Sequence, residues 1–159
     1  MFKAFVSYST HDLKNVAELQ QSLAGTGVEV FVAEHSVLPS EPLSEKISSA
    51  IAACDLFVLL WSVNVKNSDW VSQEIGKAHS LNKQILPLVL TEGLTLPGFI
   101  SGLKYIPVYQ NPAVAIQRAR AIVLEGFNAK RALIEKQKQS EALTMLGLGA
   151  FFLWAISQK

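Results

Sequence analysis

From Phe2 to Tyr109 the chain alternates short apolar runs with stripes of apolar residues at helical spacing. Phe2–Ser7 reads as a short buried strand, and Tyr8-Ser9-Thr10-His11-Asp12 follows as a loop ending in helix-capping residues. Leu13, Val16, Ala17, Leu19 and Leu23 then recur at the period of a helix, which Gly25-Thr26-Gly27 stops. Val28–Ala33 is a second strand, and Glu34–Pro42 is a long loop stiffened by prolines. Leu43, Ile47, Ala50 and Ile51 mark the inner face of a helix that runs to Cys54. Asp55–Trp61 is apolar almost throughout, as a strand covered on both faces should be. The turn-rich stretch Ser62–Asp69 leads into a helix over 70–79 that Ser68 or Asp69 can cap. Gln84–Leu90 is a fourth strand, whose Pro87 predicts an irregularity or an edge position. Lys104–Tyr109 is a short fifth strand, and Asn111-Pro112 opens the next helix. Strands and helices alternating at this spacing predict βαβ units. The expected fold is α/β: a flavodoxin-like, five-stranded parallel sheet in the order 2-1-3-4-5 with helices on both faces.

Composition narrows the function more than the fold. Lysine and arginine number 14 against 13 aspartates and glutamates, a net charge of +1, and no basic patch is interleaved with aromatics. Nothing therefore points to nucleic acid. The single cysteine, Cys54, excludes an intrachain disulfide and is expected to be a buried structural thiol in a reducing compartment. Three dispersed histidines and one cysteine give no ligand spacing, so no metal is expected. Neither Gly-x-Gly-x-x-Gly after the first strand nor Gly-x-x-x-x-Gly-Lys-Ser/Thr occurs, so the common phosphate-cradling loops are missing. Met1–Phe5 lacks the features of a signal peptide, and the expectation is a cytoplasmic globular part.

The candidate chemistry lies on the helix after the central strand. Trp70 and Glu74 stand four residues apart on one helical face, near the sheet mouth where such folds bind ligands. A carboxylate held beside an indole makes Glu74 the candidate working group, against the ordinary alternative of a solvated surface glutamate. Asp12 reads first as a helix cap, His11 and His35 as solvated loop residues, and His79 as surface.

The order of these segments resembles the Toll/interleukin-1 receptor (TIR) domain family. Phe2-Lys3-Ala4-Phe5-Val6-Ser7-Tyr8-Ser9 followed by Asp12 resembles its first box, and Gly27–Phe31 its second strand. Glu34–Pro42 resembles the BB loop, and Asp55–Asn64 with Ser68–Glu74 the most telling segment. The resemblance implies one of two roles. Many TIR domains are adaptors that act by contact, whereas bacterial-type members cleave NAD+ at the nicotinamide–ribose bond with the glutamate that maps onto Glu74. The carboxylate at 74 favours the enzyme: an NAD+ nucleosidase, with cyclic ADP-ribose isomers as further products, NAD+ as substrate and no cofactor. Loss of nicotinamide leaves an oxocarbenium-like ribose that a carboxylate can stabilise. Ser7, Tyr8, Ser9, Thr10, Phe31 and Trp70 are the expected substrate contacts, and His35, Ser36, Pro39 and Pro42 the expected assembly loop. Activation by self-association and a role in prokaryotic antiviral immunity are what the resemblance adds; the alternative is a non-catalytic adaptor.

Beyond this expected domain, 1–125, a basic helical linker over 126–141 precedes an uncharged stretch, 142–157. Residues 142–156 make about 22 Å of helix, short of the roughly 30 Å hydrocarbon core. The expectation is a membrane anchor that tethers the domain to the inner face of the membrane, with packing on a neighbouring protomer as the alternative.

Overall fold

The computed structural model describes the backbone of residues 1–32 and 43–157 and the side chains of 1–32 and 45–141. Five strands, β1 (Phe2–Ser7), β2 (Val28–Val32), β3 (Leu56–Trp61), β4 (Gln84–Val89) and β5 (Ile106–Pro107), form one parallel sheet. Their order is β2-β1-β3-β4-β5, the flavodoxin-like arrangement expected from the pattern. The helices are α1 (Leu13–Leu23), α2 (Leu43–Ala53), α3 (Val63–Lys66), α4 (Asp69–Ser80) and α5 (Pro112–Ser157).

Strand periodicity divides the core. Phe5, Phe57, Leu59 and Trp61 pack with Ile47 and Ile51 of α2 and with Val71, Ile75 and Ala78 of α4. The intervening Ala4, Val6, Val58 and Leu60 point to the other face. The buried stripes Val16, Leu19, Leu23 of α1 and Ala115, Ile116, Ala119, Val123 of α5 supply apolar cover for it. Phe31, Phe5 and Phe57 are in register on adjacent strands, with ring centroids 5.4 and 5.3 Å apart. This aromatic row ties β2, β1 and β3 together.

Helix ends are closed by side chains as elementary capping rules require. The Val71 N–H donates to Ser68 Oγ at 3.4 Å, so Ser68 caps α4. Lys83 Nζ donates to the carbonyls of Ala52 and Cys54 at 2.6 and 2.8 Å, satisfying the end of α2 with a cation. Cys54 is buried, its Sγ donating to the Ile51 carbonyl at 3.1 Å.

The pattern and the structure part at several places. The stretch read as turn holds α3, a single turn too short to carry a periodic signal. The fifth strand keeps only Ile106–Pro107 of the expected 104–109. Pro87 lies on an interior strand rather than an edge, for a geometric reason. The Leu90 N–H donates to Trp61 O on β3, so alternate donors face β3 and residue 87 faces β5. Pairing with β5 begins only at Leu88, and the missing donor breaks no ladder bond there.

Two compact units divide the chain, Met1–Gly126 and Phe127–Lys159. The described side chains of the second are largely exposed, with an Arg131 Nε to Glu135 Oε1 pair at 3.1 Å one turn apart. The side chains of 142–157 lie outside the described residues, and so do the anchoring and protomer-packing expectations built on them. Among the described residues no helix is long and apolar enough to cross a membrane.

Candidate functional site

On α4 the residues Val71, Glu74, Ile75 and Ala78 form the buried stripe, at the spacing of one helical face. Glu74 thus occupies a core position, only 3% exposed, rather than a solvated one. Opposite it, Ser7 closes β1. A strand places residues 5 and 7 on one face, so Ser7 stands one step above Phe5 and looks toward α4. Ser7 Oγ donates to Glu74 Oε2 at 2.5 Å. Burial is the larger influence on the Glu74 carboxyl, and with the Ser7 hydrogen bond pulling the other way it is pushed up to about 7. The group is therefore poised between its charged and neutral forms near neutral pH.

Glu74 also lines a hollow of about 220 Å³ between α2 and α4, shared with Ile47, Ser48, Ile51, Trp70, Gln73 and Lys77. One carboxylate in a largely apolar wall can stabilise a positive charge that develops beside it, because water is partly excluded. Trp70, 41% exposed, forms an aromatic side of this hollow and is open to a ligand. The hollow is smaller than the roughly 300–1,000 Å³ of sites that enclose a whole ligand.

The expected site residues separate. Glu74, Ser7 and Trp70 come together, but Ser7 is 0% exposed and does not line the hollow. Tyr8 is buried in the packing, 3% exposed, and offers the hollow no ring face. Ser9 accepts from the His11 N–H at 3.4 Å and caps a 3-10 turn, in which Thr10 is exposed. Phe31 is half-buried against Phe5. His35, Ser36, Pro39 and Pro42 lie outside the described residues. The other residues of the hollow were missed, although Lys77 follows Glu74 by one helical turn and that spacing was open to view.

Asp12 corrects a sequence expectation. It opens α1 without a side-chain cap bond. Its carboxylate instead accepts from Ser62 Oγ at 2.6 Å and Asn64 Nδ2 at 3.2 Å, joining the ends of β1 and β3. A separate hollow of about 250 Å³ lies beside it, with Tyr109 and Pro112 on its wall. Among the described residues no three His, Cys, Asp or Glu side chains are placed to hold a metal.

A parallel doubly wound sheet in the order β2-β1-β3-β4-β5, with a hollow between α2 and α4, defines a flavodoxin-like α/β domain. The family model for the TIR domain matches residues 4–123, and the chain belongs to that family. A curated relative is the Probable 2' cyclic ADP-D-ribose synthase BdTIR of Brachypodium distachyon, 26% identical over 112 residues. That match covers 67% of this chain and 50% of the relative, so the chain spans about half the length of the curated protein it matches. Among solved structures, the TIR domain of the Toll-related receptor TRR-2 from Hydra magnipapillata is similar at 20% identity and a TM-score of 0.56. It covers 74% of this chain and 99% of that one. The Clostridium botulinum CMP N-glycosidase BcmB is similar at 24% identity and a TM-score of 0.56, over 74% of this chain and 97% of its own. These two likenesses concern the fold.

Proposed function

We propose that this TIR domain cleaves the nicotinamide–ribose bond of NAD+ and that Glu74 carries the step. The observation behind this reading is a glutamate buried in the apolar stripe of α4, lining a hollow with an open indole beside it. The curated relative, named as a cyclic ADP-ribose synthase, lends support at 26% identity. In the proposed step the electron pair of the N-glycosidic bond leaves with nicotinamide, which departs neutral. The ribose is left as an oxocarbenium-like cation, and the Glu74 carboxylate stabilises that charge from its apolar wall. Water then adds to the anomeric carbon and loses a proton, giving ADP-ribose; attack by a hydroxyl of the same molecule, with loss of its proton, gives a cyclic isomer. The pyridinium of NAD+ is already a good leaving group, so the carboxylate alone supplies the chemistry asked of the protein. Trp70 offers a flat surface to one ring of the substrate. The hollow takes only one end of the dinucleotide, and self-association of TIR domains is the proposed way of completing the cleft.

Chromatography of NAD+ after exposure to wild type and to Glu74→Gln tests the reading. Nicotinamide is expected from the first and not from the second. Equal release by both, or release by neither at concentrations where the domain self-associates, overturns it and leaves a role by contact alone.

A further inference from the structure

We propose that Ser7 is a positioning residue for Glu74: it holds the carboxylate in the orientation cleavage needs and does not touch the substrate. The inference rests on the reaction proposed above. Ser7 ends the interior strand β1, in register with Leu59 of β3, among the buried apolar residues Phe2, Ala4, Phe5 and Val6. A hydroxyl there costs free energy unless it is bonded, and alanine would fill the position without that cost. Its bond is the donation to Glu74 Oε2.

The two ends of this contact belong to a strand and a helix that pack into one core, so neither can drift. A glutamate side chain has several rotatable bonds, and burial alone does not choose among its rotamers. Holding Oε2 against β1 removes that freedom for the carboxylate. A group aligned in advance loses nothing to reorganisation when charge develops beside it. Of the other residues facing the hollow, α2 contributes Ile47, Ser48 and Ile51 and α4 contributes Trp70, Gln73 and the charged Lys77. Donation from Ser7 also favours the ionised carboxylate, the form the reaction uses.

Nicotinamide release by wild type, Ser7→Ala and Ser7→Thr is measured across pH, beside a carbon-13 titration of the Glu74 carboxyl without substrate. In Ser7→Ala, kcat is expected to fall about ten- to a hundredfold, the loss of one hydrogen bond to a charged group. KM for NAD+ should stay within about threefold, because a fully buried residue makes no ground-state contact. The pH of half-maximal rate and the carboxyl titration should both move upward. Ser7→Thr keeps the hydroxyl and should recover most of the rate. A KM that climbs as kcat falls overturns the proposal, as does a Ser7→Ala protein with rate and titration unchanged. If wild type releases no nicotinamide, the reaction itself is refuted. The titration then still decides whether Ser7 controls Glu74: a raised midpoint upholds that contact, and an unmoved one removes it.

Discussion

Replacing Glu74 with glutamine keeps the size of the side chain and an oxygen to accept from Ser7, exchanges the second oxygen for an amide NH2, and removes the capacity to ionise. Burial lifts the Glu74 carboxyl from 4.5 to about 7, so between those values the folded chain holds a proton that the unfolded chain releases. Stability must fall with pH wherever the native state binds more protons than the unfolded one. The contribution is complete below the unfolded value, declines as pH rises from about 4.5, and is lost once pH passes about 7. At about 1.4 kcal/mol for each pH unit the displacement amounts to roughly 3 kcal/mol. Glutamine feels none of this. Urea denaturation of both proteins from about pH 4 to about pH 8 isolates the effect, because all other titrating groups are common to the pair. The two are expected to be equally stable at the acid end. At the alkaline end the variant should be the more stable by roughly 3 kcal/mol while releasing no nicotinamide. A stability difference that does not change with pH, or that favours wild type at alkaline pH, refutes burial as the cause.

Three further outcomes are expected. For wild type, kcat/KM for NAD+ should rise with pH, reach half its plateau near the Glu74 value of about 7, and stay level above it, as a stopped assay over pH would record. Asp12→Ala strips the acceptor from both Ser62 and Asn64. It should lower the urea unfolding free energy by about 2–3 kcal/mol without raising KM, since Asp12 does not line the Glu74 hollow. Phe57→Ala opens the aromatic row and should lower unfolding free energy by about 3–5 kcal/mol. An effect under about 1 kcal/mol would show that the row can collapse around the gap.

What could be read from the sequence was what repeats locally. The apolar run Leu56–Trp61 and the stripes of α1 and α4 carry the strand and helix periods in their own residues, and the sheet order follows from their alternation. The role of Asp12 was hidden because its partners Ser62 and Asn64 lie 50 and 52 residues away. A capping residue and a strand-bridging residue look the same at an N-terminal helix position. Ser7 and Tyr8 were hidden for a related reason. Ser7 was read as the end of a buried strand, but its partner Glu74 lies 67 residues away; Tyr8 was read as loop, and the structure buries it. Glu74 was legible in kind and as the neighbour of Trp70, with which it lines one hollow; the depth of its burial was not read. Its spacing from Val71 and Ala78 puts it in the buried stripe.

That placement bears on what the residue is for. A glutamate in a buried helical stripe weakens the fold at neutral pH, by the same reasoning that makes its glutamine variant more stable. Glutamine would pack as well, accept from Ser7 as well and impose no charge on the core. A purely structural account therefore explains the shape of the side chain at 74 and not its acidity. Acidity is explained by a task that needs a carboxylate able to ionise near pH 7 while facing an apolar hollow. Neutral glutamine cannot meet a developing cation with full charge, and a solvated carboxylate would meet it through water. Only a buried carboxylate whose protonation can be reversed does both, and the pH at which the loss of stability levels off must then coincide with the pH of half-maximal turnover, near 7.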